Sequence, residues 1–156
     1  MNGNPVVVVA TDGSETSTGA AAFAHDVLPD GADIHLVTVV PPRLDPMETS
    51  TGFAGSLLSD EEADRDFAGG VVEGDAALAS TARALGPQPY DQQVLIADRP
   101  EDAICEAALA LDADLIVVGS HGAGLSTLAL GSVSKHVVEH APCRVLIVPV
   151  ELRPPR

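Results

Sequence analysis

Three runs of this chain are apolar without interruption and end at turn-forming or helix-starting residues: residues 5–10 (PVVVVA), 115–118 (LIVV) and 145–148 (VLIV). A strand with one wet face alternates apolar and polar side chains. A strand buried on both faces, as in a parallel sheet covered by helices, stays apolar throughout. The first run stops at Thr11-Asp12-Gly13-Ser14-Glu15, a turn cluster that can also start a helix. An alanine-rich helix follows through Ala20 to Leu28 and ends at Pro29-Asp30-Gly31. A second strand over 32–40 (ADIHLVTVV) is stopped by Pro41-Pro42. This is a β-α-β unit, for which a right-handed crossover between parallel strands is expected.

The rest of the chain repeats the alternation. Residues 43–59 mix proline, glycine, serine and threonine with no period and predict a long loop, read either as an excursion or as a flap near a ligand. Ser59-Asp60-Glu61-Glu62 is a capped, acidic helix start. That helix runs to Leu85, with Gly69-Gly70 as a weak spot or break. Residues 90–96 are polar first and apolar later, as an edge strand would be. Arg99-Pro100-Glu101-Asp102 starts another helix, with Ile104, Ala107, Ala108 and Leu111 on one face. A fourth strand over 115–118, a glycine-rich loop, a helix from Ser132 to His140 and a last strand, Arg144–Val148, complete the chain. Five strands alternating with four helical stretches predict α/β: a single doubly wound five-stranded parallel sheet, helices on both faces, in one domain over 1–156.

Composition excludes several functions. The formal charge is −15, from 23 acidic residues against 8 basic, and Lys135 is the only lysine. Binding to nucleic acid or to an anionic membrane needs basic patches that replace counterions, so neither is expected. No apolar run approaches the ~20 residues that span a bilayer. Met1-Asn2-Gly3-Asn4 lacks the basic and apolar start of a signal peptide, so a cytoplasmic location is the expectation. Two cysteines, Cys105 and Cys143, read as reduced and small rather than as a disulfide framework.

In doubly wound sheets, ligands sit outside the carboxyl ends of the strands where strand order reverses. Ala10-Thr11-Asp12, Val39-Val40-Pro41 and the loop from Gly119 to Ser134 all fall at such ends. If strands one and four are neighbours, Asp12 and the glycine loop face one crevice. Gly119, Gly122, Gly124 and Gly131 let the backbone approach a ligand, the helix start offers free N–H groups to an anion, and the hydroxyls of Ser132 and Ser134 are expected to take phosphates. An ordinary strand–helix connection would also use such glycines. Asp12 fits two compatible roles, capping the first helix or holding a ribose hydroxyl or phosphate-bound metal. There is no Gly-Lys-Ser/Thr of a Walker-type loop, and Gly122-x-Gly124 lacks the third glycine of a dinucleotide fingerprint.

Ala-Thr-Asp-Gly-Ser-Glu (10–15), Arg-Pro-Glu-Asp-Ala-Ile (99–104), Asp-Leu-Ile-Val-Val-Gly-Ser-His-Gly (114–122) and Leu-Gly-Ser-Val-Ser (130–134), in this order, resemble the universal stress protein family over 6–148. The resemblance implies strand order 3-2-1-4-5 and a homodimer formed through the last strand, Arg144–Val148. It also implies a stress-response regulator or sensor rather than an enzyme. Hydrolysis of nucleotide, if any, would be slow, with Asp12 and His121 orienting water. One branch of the family binds ATP or AMP through Gly-x2-Gly-x9-Gly-Ser/Thr. Gly119, Gly122, Gly131 and Ser132 match it, with eight residues (123–130) where the pattern has nine. Adenine would then lie near Val39, Val118 and Ala10-Thr11-Asp12. Phosphates, with or without Mg2+, would lie on Gly122, Gly131, Ser132, Val133 and Ser134, with His121 nearby. The alternative is a member that has lost nucleotide and works through protein contacts.

Other constellations carry less. His136-Val137-Val138-Glu139-His140 spells H-x-x-E-H, but no third ligand is evident beyond Glu151, and no metal site is read from it. Ser120-His121 lacks a nucleophile elbow, and adjacent loop residues rarely face each other as nucleophile and base. His35 reads as a packed or edge histidine and Cys105 as a core residue.

Overall fold

The computed structural model describes residues 4–44, 59–121 and 130–149. Along β1 (Val6–Ala10), successive side chains point to opposite faces, and Val7, Val8 and Val9 are all buried. Val7 and Val9 join Leu36 and Val117 on one face, covered by Ala20, Ala21 and Ala24 of α1 (Glu15–Val27) and by Leu78 and Leu85 of α2 (Asp60–Leu85). Val8 joins Val37 and Ile116 on the other face. There Ile104 and Ala108 of α3 (Pro100–Ala110) and Val137 of α4 (Ser132–His140) cover it. Each fully buried valine or leucine contributes roughly 1.5–3 kcal/mol of transfer free energy. The unbroken apolar spelling of β1 is the consequence of having a core on both sides.

The five strands are all parallel and ordered β3 (Asp91–Ile96), β2 (Asp33–Val40), β1, β4 (Leu115–Gly119), β5 (Arg144–Val148). The 3-2-1-4-5 expectation holds. β1 lies between β2, with Val6 opposite Asp33, and β4, with Val7 opposite Leu115. The chain winds outward in one direction from β1 through β3 and in the other from β4 to β5. The reversal therefore falls between the carboxyl ends of β1 and β4.

One sequence expectation changes, and one falls largely outside the described residues. α2 is one helix of 26 residues running through Gly69-Gly70 without a break. Its ends are well defined: Ser59 and Glu62 form a reciprocal capping box, and Gly86 closes the helix at φ 112°. Arg43 pairs with Asp60 and Asp64, tying the chain after β2 to the start of this helix. Positions 45–58 of the expected 43–59 loop lie outside the described residues. Among the described residues no helix is long and apolar enough to cross a membrane.

Candidate functional site

The turn after β1 is built from hydroxyls. Thr11, almost fully buried, shares hydrogen bonds with Ser17 Oγ at 3.0 Å and with Thr81 Oγ1 of α2 at 2.8 Å. Its Oγ1 also accepts from the Gly13 N–H at 3.1 Å. Ser14 is the N-cap of α1, its side chain accepting from the Ser17 N–H. The Asp12 carboxylate accepts from Ser17 Oγ at 2.7 Å and from the Ser14 N–H at 3.0 Å. Asp12 is thus fixed at the start of α1 without being its N-cap residue. The capping role expected of it belongs to Ser14.

β4 delivers the second wall. The Ser120 N–H donates to Val148 O at 2.9 Å, and Gly131 N–H donates back to Ser120 O at 2.8 Å. These bonds bring the start of α4 against the end of β4. Ser134 Oγ–H donates to Gly119 O at 2.6 Å and is buried. This corrects the expectation that the Ser134 hydroxyl takes phosphate: its one proton is already donated, so toward an anion Ser134 offers its backbone N–H. Gly131 occupies the N-cap of α4 and no side chain caps that end. The first N–H groups of the helix, which have no intrahelical partner, therefore open toward whatever lies beyond.

These elements border one cleft of about 240 Å³. Of the residues expected from sequence, Ala10, Thr11, Asp12, Val39, Val118, Gly119, His121, Val133 and Ser134 line it. Gly131 and Ser132 stand at the start of α4 beside it, Gly131 buried and Ser132 exposed. Gly122, and the shortened spacing between Gly122 and Gly131, lie outside the described residues. The structure adds Ser17, Val37, Thr38, Pro100 and Ile104, which sequence reasoning missed as site residues. Pro100 and Ile104 were legible only as a helix start and a helix face. Their place in the cleft depends on α3 packing over the carboxyl ends of β1 and β2, which no local pattern announces.

Ser120 and His121 depart from expectation. Although adjacent, Ser120 Oγ and His121 Nδ1 lie 2.9 Å apart. Ser120 does not border the cleft, so the pair presents the imidazole rather than a nucleophile. The direction of this bond follows the tautomer: where the hydroxyl donates to Nδ1, Nε2 carries the proton and is a donor, and where Nδ1–H donates, Nε2 is an acceptor. Nε2 is buried and finds no hydrogen-bond partner among the described residues. A buried polar atom in that condition costs ~1–3 kcal/mol unless a partner arrives. His136 meets Asp102 at 2.8 Å and stacks on His140 at 4.0 Å, while His140 Nδ1 turns to its own helix at His136 O. The H-x-x-E-H spelling thus joins α4 to α3 through one histidine. Burial raises both cysteine thiols above their ordinary value, which keeps them protonated near neutrality.

Fold and site together define a doubly wound parallel α/β protein with a ligand-sized cleft at its topological switch point. A sequence model of the Universal stress protein family matches residues 4–149, and the chain belongs to that family. A universal stress protein of Thermus aquaticus is 34% identical over 144 residues, covering 91% of this chain and 96% of that protein. The crystal structure of a universal stress protein in complex with cAMP is 30% identical and covers 94% of this chain and 98% of that one, with a TM-score of 0.62. Hypothetical protein MJ0577 shares the fold at a TM-score of 0.72 and 20% identity, over 94% of this chain and 96% of that one.

Proposed function

We propose that this universal stress protein binds an adenine nucleotide, ATP or AMP, in the cleft between β1, β4 and the start of α4, and acts as a binding module rather than as an enzyme. The observation that carries the reading is the glycine-capped N-terminus of α4 opening beside His121, whose buried Nε2 has no partner among the described residues. The helix N–H groups are donors toward an anion, and Nε2 joins them in the tautomer in which the Ser120 hydroxyl donates to Nδ1. The apolar wall of Ala10, Val39, Pro100, Ile104 and Val118 suits a purine, and Asp12 at the mouth suits ribose hydroxyls or a bound Mg2+. A relative 30% identical to this chain was solved with cAMP, which supports the same ligand class.

No lysine or arginine lines the described part of the cleft. Phosphate charge is therefore met by backbone dipoles and His121, and Mg2+ adds the missing positive charge for ATP. The test is mass analysis of ligand released from the purified chain, followed by calorimetry with AMP and ATP at high salt, with and without Mg2+. The reading requires saturable binding of one nucleotide per chain. No released nucleotide and no heat would overturn it in favour of a member working through protein contacts alone. If ATP binds and phosphate release exceeds buffer, slow hydrolysis aided by Asp12 and His121 replaces the pure binding role. The exposed edge of β5 completes the proposal as the pairing surface for a second copy, read by sedimentation equilibrium.

A further inference from the structure

At the opposite edge of the sheet, the amino ends of β2 and β3 bring three ligating side chains together. Asp33 and His35 are two residues apart on β2 and so share one face. Asp91, the first residue of β3, is the direct register partner of His35. His35 Nε2 lies 3.4 Å from Asp33 Oδ2, and His35 Nδ1 lies 3.5 Å from Asp91 Oδ2. One ligand atom from each residue falls within 4.8 Å of the other two. The imidazole is held in place, only 16% exposed, whereas the aspartates are 59% and 78% exposed and can rotate.

We propose that Asp33, His35 and Asp91 form a divalent transition-metal site of the zinc class, clamping the edge strand β3 onto β2. A zinc ion with bonds of ~2.0–2.1 Å sets its ligands roughly 3.3 Å apart in a tetrahedron. The His35 Nε2–Asp33 Oδ2 separation of 3.4 Å is close to that value, and Asp91, which faces the other ring nitrogen, rotates toward Nε2 to supply the third ligand from within 4.8 Å. Both contacts are longer than the ~2.7–2.9 Å of a charge-assisted hydrogen bond, so the imidazole is not tightly bonded to either carboxylate. A single imidazolium would also leave one of two facing carboxylates uncompensated, while a dication neutralises both. The two aspartates also border a cavity of about 240 Å³ that His35 does not line, and their exposure leaves the fourth position to solvent. One nitrogen with two carboxylate oxygens suits zinc-class ions. Magnesium prefers oxygen and keeps its water.

The experiment uses the untagged full chain, stripped with a chelator and titrated with zinc chloride in about 0.5 M NaCl, enough to screen diffuse attraction to exposed acids. The site predicts one zinc per chain, not displaced by an equal concentration of Mg2+, and a higher unfolding midpoint when zinc is present. Asp91→Asn, on an exposed position, weakens zinc at least tenfold while the metal-free midpoint shows that the variant is folded. His35→Gln does the same, and His136→Gln leaves uptake unchanged. Undiminished uptake in Asp91→Asn, displacement by Mg2+, loss in His136→Gln, or no uptake would each overturn the proposal.

Discussion

Gly13 follows Asp12 in the turn that closes β1, at φ 75°, where a side chain is strained. An added Cβ would meet Ala77 Cβ at 2.8 Å and its Cα at 3.0 Å, and neither atom can yield without moving α2. Gly13→Ala is therefore expected to destabilise the chain by about 1–3 kcal/mol, read by urea unfolding. A neutral result would mean that the turn and α2 are not packed as described. Thr81 shows the same dependence at long range. Its hydroxyl is fully buried and meets Thr11 across 70 positions of sequence. That bond orients the turn carrying Asp12, yet nothing near Thr81 in the sequence distinguishes it from a helix-surface threonine. His35 was similarly unreadable as anything but a packed or edge residue, because its neighbour Asp91 arrives only through strand register.

At the scale of elements, β1 and β4 were legible because double burial writes itself as unbroken valine, isoleucine and leucine. Of the two alternatives at Gly69-Gly70, a weak spot or a break, the structure excludes the break for an equally physical reason. Two glycines lower helix propensity by about 1 kcal/mol each, but α2 is held by Leu78, Leu85 and its capping box, and packing overrides propensity. No atom lies within 4 Å of a Cβ added at either position. Gly69→Ala and Gly70→Ala should each stabilise by about 0.5–1 kcal/mol, measured as an upward shift in the unfolding midpoint. Gly74→Ala in the same helix should do the reverse, since its Cβ would lie 3.1 and 3.2 Å from the side chains of Val40 and Thr38, which are buried in the sheet and have no room to yield. The start of α2 carries a pH dependence as well. Hydrogen bonds from the Ser59 backbone and side chain hold the Glu62 carboxyl below its ordinary value of 4.5. A carboxyl lowered in the folded state contributes stability that is present above that ordinary value and lost as pH falls through the folded one. The stability gap between the chain and Glu62→Ala should accordingly narrow as pH drops below 4.5, and a gap independent of pH would show that the box does not form.

For the whole molecule, the winding of the sheet decides where the site can be. Only a reversal between β1 and β4 sets the Asp12 turn, His121 and the start of α4 around one cleft; the strand–helix alternation predicted a doubly wound sheet, while the strand order that makes β1 and β4 neighbours came from the family resemblance. Sequence reasoning reached the residues at strand ends and at the helix start, where turn and cap chemistry is local. It did not reach Pro100, Ile104 or Ser17, which enter the cleft through packing of α1 and α3. The most direct test of an anion held by α4 is to place a carboxylate there. Ser132 is exposed and first in the helix, so Ser132→Glu interacts favourably with the helix dipole and should leave the unfolding midpoint unchanged or slightly raised. The same charge repels a phosphate at that position. Calorimetry of ATP with Mg2+ against the chain and against Ser132→Glu should therefore show saturable binding in the first and binding at least about tenfold weaker, a loss of about 1.4 kcal/mol or more, in the second. Equal affinity in the two proteins, or no binding in either, would contradict a phosphate site at the start of α4.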